Sequence, residues 1–323
     1  MKVLPHLTPL FTPLLTPLLT PFVTPILESW LLRAGRLRPA PHLPLSTALY
    51  RSATLELAVL AGHLLLYPSG LTQERRTAPA GTTPGTGTAG TAGIVGKTGR
   101  PVVLLHGFID NRSVFVLLRR ALAKDRRRHV ESLNYSLLTC DIRTAAELLA
   151  RHVEEVCLRT GQRQVDIVGH SLGGLIARYY VQRLGGDTRV RTLVTLGTPH
   201  GGTAVAPLLS AHPIVRQMRP GSDVVAELEQ PAPGCRTRFV AFWSDLDQVM
   251  SPVETARVDH PDLLAHNVRV SGIGHLALPV HPAVAADIRR ALDADADTTR
   301  TDSADSTDTE DATDTTGSPI SVA

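Results

Sequence analysis

The pentapeptide Gly169-His170-Ser171-Leu172-Gly173 constrains this chain more than any other stretch. An apolar run, Val165-Asp166-Ile167-Val168, leads into it, and residues 172–184 follow with helical periodicity before Gly185-Gly186 ends them. A strand that turns straight into a helix leaves the residue at the turn with strained backbone angles and a presented side chain. The flanking glycines let strand and helix approach each other, and Gly174 extends that small-residue surface. A serine at such a turn is a candidate nucleophile. The free N–H groups of the helix N-terminus face any negative charge that develops beside it.

The same alternation runs through residues 100–292. Short apolar runs predict strands at 101–105, 130–135, 165–168, 190–196, 239–243 and 268–270. Helices are expected at 114–124, at 141–160 with Asp141 as N-cap and Gly161 as terminator, at 172–184 and at 283–292. Strands alternating with helices specify an α/β domain, a mostly parallel sheet with helices on both faces. Ligands of such sheets lie beyond the carboxyl ends of the strands, so acting residues belong just after strands.

A serine hydroxyl is a weak nucleophile and needs a base, oriented in turn by an acid. Among the later histidines, His275 in Gly272-Ile273-Gly274-His275 follows a strand, whereas His260, His266 and His281 do not share that setting. Asp245 and Asp247 both follow the strand at 239–243. Asp247, deeper in the loop, is the preferred acid, and Glu254 and Asp259 read as solvated. The oxyanion donors expected are the N–H of Leu172 and that of Phe108 in His106-Gly107-Phe108. His106 reads as a loop-ordering residue, His170 as structural, and His200 in Gly197-Thr198-Pro199-His200-Gly201-Gly202 as loop structure or pocket wall; all three are placed at the substrate pocket. The 13 histidines form no H-E-x-x-H or other compact ligand pattern, so no metal is expected, and the serine chemistry implies no cofactor. Cys140 and Cys157 bracket the helix at 141–160, too far apart to bridge, and read as free thiols.

The flanks differ from this domain. In region 1–99, Pro5, Pro9, Pro13, Pro17, Pro21 and Pro25 recur every fourth residue, which disfavours a helix and predicts an extended apolar segment. Residues 45–67 read as a helix with Leu49, Leu57, Leu60, Leu64 and Leu65 on one apolar side, ended by Pro68 and Gly70. It either packs on the domain or lies on a membrane surface, giving peripheral membrane contact through the N-terminal region. Arg51, Glu56 and His63 make it a costly bilayer span. Residues 77–99, almost entirely Thr, Gly, Ala and Pro, read as a flexible linker. The tail, 293–323, sets nine acidic side chains against Arg300 alone and is expected to be disordered. No clear cleavable signal peptide or standard transmembrane helix is expected. A formal charge of +3 and 4% aromatic residues argue against a nucleic-acid partner.

Taken together, Leu105-His106-Gly107-Phe108, Gly169-His170-Ser171-Leu172-Gly173-Gly174, Gly197-Thr198-Pro199-His200-Gly201-Gly202 and Gly274-His275 resemble bacterial lipases and carboxylesterases of the α/β-hydrolase superfamily. The likeness is to small, nearly lidless lipases and to GPI-inositol-deacylase-like esterases, and it covers 100–292. The resemblance implies an α/β-hydrolase fold without leading antiparallel strands, and a minimal or small lid drawn from 203–235. It also implies an acyl-enzyme on Ser171 formed from an ester or lipid substrate, with Asp247 as acid, His275 as base, and Phe108 and Leu172 as oxyanion donors. An acyltransferase or thioesterase using the same residues, and a non-catalytic membrane-associated binding protein, are the alternatives.

Overall fold

The structure is a computed structural model that describes residues 47–70, 99–108, 110–124, 128–135, 141–205 and 212–304; the side chains of 47–50 and 295–304 are not among those described. The proline repeat, most of the Thr/Gly linker, Cys140 and residues 305–323 lie outside the described residues.

Six strands form the sheet: β1 (Val102–Leu105), β2 (Val130–Leu133), β3 (Val165–His170), β4 (Val190–Leu196), β5 (Arg238–Ser244) and β6 (Leu264–Val270). Their order is β2-β1-β3-β4-β5-β6, and every pairing is parallel. No antiparallel strand precedes β1 among the described residues. The helices are α1 (Thr47–Gly70), α2 (Val116–Ala123), α3 (Ile142–Thr160), α4 (Leu172–Arg183), α5 (Pro213–Gln217), α6 (Asp223–Glu229) and α7 (Pro282–Ala304).

The alternation of strand side chains sorts the core into two layers. Val103, Leu105, Ile167, Leu193, Phe239 and Ala241 face α3, α4 and α6, meeting Leu149, Val153, Ile176 and Leu228. Val102, Leu104, Val168, Val194, Leu196, Val240 and Phe242 face α2 and α7, meeting Leu118, Leu122, Ile288 and Leu292. With both faces covered, the central strands read as continuous apolar runs, which is what made them visible in the sequence. Helix α3 begins as expected: Asp141 accepts from the N–H groups of Arg143 (2.6 Å) and Thr144 (3.2 Å), and Gly161 ends it in the left-handed region at φ 69°.

Besides the short helices α5 and α6, which were not among those expected, three elements depart most from expectation. β6 starts at Leu264, four residues early, because an edge strand exposes one side and needs no long apolar run. α7 runs past Leu292 to Ala304, so the first part of the acidic stretch is helical; alanines at 291, 294 and 296 keep extension cheap once the buried turns have nucleated it. The third is α1, which packs on the domain but turns Leu57, Leu64 and Leu65 of the expected apolar side outward. Leu55 and Val59 meet the core and Ser52 and His63 are buried, while Leu57 and Leu65 are 65% and 83% exposed. Its inner face is held by these apolar contacts and by specific polar partners. Pro68 sits in the last turn, where little of the helical ladder remains to be lost.

Candidate active site

The parallel register lines up the carboxyl ends of the strands. Leu105 pairs Gly169, His170 pairs Leu196, Leu196 pairs Phe242, and Ser244 pairs Val270. The segments that leave these ends carry His106-Phe108, Ser171, the Gly197–Gly202 loop, Asp247 and His275, so all emerge on one rim.

Ser171 is the single non-glycine residue with positive φ among the described residues, at φ 52°, ψ −122°. An L-residue adopts such angles only where the surroundings fix it. Here its N–H donates to Leu196 O (2.9 Å), and its carbonyl accepts from Gly174 N–H (3.1 Å) and from the Thr198 hydroxyl (3.0 Å). The turn also needs a close approach of α4 to β1. A Cβ on Gly173 would stand 2.4 Å from the carbonyl oxygen of Leu105. Leu172 is the first residue of α4, so its N–H has no acceptor within the helix. The loop after β1 runs past the serine: a Cβ on Gly107 would stand 3.2 Å from that of Ser171. Phe108 follows in that loop, its ring edge-on to His212 at 5.3 Å.

His275 and Asp247 form a buried pair, Nδ1 to Oδ2 at 2.8 Å. The other oxygen, Oδ1, accepts from Val249 N–H (2.8 Å) and Met250 N–H (3.0 Å). Asp245 instead bonds Arg269 and Ser271 at the surface, so the loop brings only the deeper aspartate to the imidazole. Burial alone would depress His275. The carboxylate of Asp247, with Glu56 and Asp110 further off, outweighs it and holds the ring above the ordinary histidine value. The Ser244 hydroxyl donates to Ile273 O and fastens the end of β5 to the loop that carries His275.

The three other histidines expected at the pocket are buried, each with protein partners. His170 lies with its ring 4.7 Å from that of His275, donates from Nε2 to the His275 carbonyl (3.3 Å), and sits 3.6 Å from Asp110. Desolvation keeps it below the usual histidine value. His106 stacks on Tyr135 at 4.3 Å, and the Tyr135 hydroxyl donates to the His106 carbonyl (2.6 Å), which orders the loop before Phe108. His200 is bonded to Thr195 Oγ1 (3.0 Å), and its carbonyl accepts from buried Arg178 (3.2 Å). Burial and the neighbouring guanidinium keep His200 far below the ordinary value, hence neutral. Among the described residues, no group of three His, Cys, Asp or Glu side chains could hold a metal ion.

The structure adds residues that spacing alone did not single out. Asp110 follows His106 by four positions and is surrounded by His63, His106 and His170, which outweigh its burial and hold it below the usual carboxylate range. Glu56, read only as an interruption of an apolar helix, accepts hydrogen bonds from the residues right after His275. A single carboxylate on a leucine-rich helix was the available signal.

Residues 100–222 match the family model described as alpha/beta hydrolase fold. Lipase B of Aspergillus fumigatus superposes with a TM-score of 0.57 at 16% identity, covering 71% of this chain and 65% of that one. The lipase BlEst2 of Bacillus licheniformis in its propeptide form gives 0.52 at 16% identity, over 60% and 50%. The chain has an α/β-hydrolase fold. In sequence, this hydrolase-fold chain is 32% identical over 113 residues to triacylglycerol lipases of Pseudarthrobacter phenanthrenivorans and of Burkholderia plantarii, a match covering 33% of this chain and 35% and 31% of theirs. It thus spans about a third of the length of those lipases.

Proposed function

We propose that this chain is a serine hydrolase that cleaves carboxylic esters, with lipid esters as the substrate class. The observation that carries the reading is Ser171 held at a strained strand–helix turn on the same rim as an Asp247-paired His275. In this reading Nε2 of His275 takes the Ser171 proton as Oγ attacks the ester carbonyl. The N–H groups of Leu172 and Phe108 stabilise the oxyanion. The imidazolium, stabilised by Asp247, passes its proton to the departing alcohol and leaves an acyl-enzyme. Water, deprotonated by the same imidazole, then releases the acid. The lipid preference draws on the names of the two sequence relatives.

Replacing Ser171 with Ala tests the reading. Turnover of p-nitrophenyl butyrate should fall by about five to six orders of magnitude, with unchanged circular dichroism and no labelling by a fluorophosphonate probe. Full activity in S171A would reject the assignment.

The outward leucines of α1 support a second element of this reading, contact with the surface of the lipid substrate. Leu57 and Leu65 are exposed on the helix that contacts the His275 loop. The double variant L57S/L65S should lose flotation with phosphatidylcholine liposomes while keeping turnover of a soluble ester; undiminished flotation would remove this element.

A further inference from the structure

Helix α1 reaches the candidate site through one side chain. Glu56 Oε2 accepts from the N–H of Leu276 (3.0 Å), and Oε1 accepts from the N–H of Ala277 (2.9 Å). These two peptides immediately follow His275, more than 200 positions away in sequence. A carboxylate that accepts two backbone N–H groups is fixed by them and fixes them in return.

A second observation points the same way. A Cβ on Gly274 would stand 2.6 Å from Cδ of Glu56 and 2.8 Å from Cγ and Oε1. The residue before His275 must therefore lack a side chain for the carboxylate to lie where it does. The loop is gripped on both sides of His275, by Ser244 on the Ile273 carbonyl and by Glu56 on the next two amides. The rest of α1 is anchored independently. Asn111 donates to Tyr67 O (3.0 Å), Asn134 to Gly70 O (2.7 Å) and Arg112 to Ser69 O (3.1 Å). Docking the helix does not by itself require a carboxylate at the His275 loop.

We propose that Glu56 is a positioning residue: through the amides of Leu276 and Ala277 it holds the loop that presents His275 to Asp247 and Ser171, which makes α1 part of the active centre. This rests on the ester-hydrolase reading above. The charged or titratable groups acting on His275 are Asp247 after β5, Glu56 from α1, Asp110 after β1 and His170 at the end of β3. Those acting on Glu56 are His275 and Asp247. Burial raises its carboxyl despite the two amides and the imidazole. Ionised Glu56 favours the imidazolium, so removing its charge moves the acid limb of the pH profile to lower pH.

The test uses the full chain as wild type, S171A, E56Q, E56D, G274A and E56Q/G274A. Thermal unfolding, kcat and KM on p-nitrophenyl butyrate, the pH profile and the NMR titration of His275 are measured. E56Q should lower kcat about ten- to a hundredfold with KM within about twofold, and shift both the acid limb and the His275 titration to lower pH. E56D keeps the charge and retracts it, so kcat falls while the limb stays. G274A displaces the carboxylate, and its loss should not add to that of E56Q.

Wild-type kcat per folded molecule together with an unmoved His275 titration in E56Q overturns the proposal. If E56Q does not fold, E56D and G274A decide it: wild-type kcat in both overturns it, and a fall in both supports it. Failure of Ser171 to react with a fluorophosphonate in the wild type sinks the hydrolase reading instead. The NMR titration then still decides whether Glu56 acts on His275.

Discussion

Asp247 has each carboxylate oxygen committed. Oδ1 takes the amides of Val249 and Met250, and Oδ2 takes Nδ1–H of His275. Replacing it with Asn leaves the two amides to claim the side-chain oxygen and turns the NH2 group toward the imidazole. Nδ1 must then accept, the ring proton moves to Nε2, and in the proposed mechanism the imidazole is then protonated on the side that should receive the serine proton. D247N should keep its fold and lose about 10⁴-fold in kcat, measured on the same ester as S171A; a loss under tenfold would mean that Asp247 does not set the tautomer. Asp247 also fixes the sign of the pH dependence. With Glu56 and Asp110 it outweighs burial and raises His275, and in the proposed mechanism the neutral ring is the form that accepts a proton. In the wild type, kcat/KM should therefore fall as pH drops through a value above that of an ordinary histidine.

At the scale of elements, the junction of β3 and α4 concentrates the strain. The helix N-terminus can stand over the sheet rim only because α4 passes the end of β1 at backbone distance. On Gly173 a methyl would meet the carbonyls of Leu105 (2.4 Å) and His106 (2.5 Å), which are backbone atoms in and next to a strand and cannot swing away. G173A should cost about 2–3 kcal/mol, seen as a fall in Tm of about 5–10 °C. An unchanged Tm would show that the junction is looser than its contacts imply. This junction was legible in the sequence because its demands are local: an apolar strand, a serine between glycines, a helical period. The caps of α3 at Asp141 and Gly161 were legible for the same reason. The start of β6 was not, since an edge strand with Leu264 exposed has a weak apolar signature. The inward face of α1 was hidden more deeply. Its leucines form the obvious stripe, yet what ties the helix to the His275 loop is Glu56, whose partners are amides at 276 and 277. Periodicity registers apolar faces and carries no information on distant polar partners.

At the scale of the whole molecule, charge is distributed unevenly: residues 293–323 hold nine acids and one arginine, and the remainder of the chain is basic. Such a segment either acts on the basic body or only solvates it, and the packing of α7 bears on the choice. Among its described side chains, the last to reach the core are Ala291 and Leu292. Asp293 then pairs with Arg128 across to the segment before β2. That pair lies at the opening residues of β2, at the sheet edge away from the carboxyl-end rim that bears Ser171. The described side chains of this helix are thus anchored away from the candidate site. Interactions between exposed charges are screened over about 10 Å at 0.1 M salt. A chain ending at Ala304 should therefore match the full chain in kcat/KM, and the two should respond alike to salt between about 0.05 and 0.5 M. A tail that clamped the site would behave otherwise. Truncation would raise activity, and high salt would raise the full chain toward the truncated one. Parallel salt titrations of the two proteins on one soluble ester separate these cases, because solvation alone gives superimposable curves and a clamp gives curves that converge only at high salt.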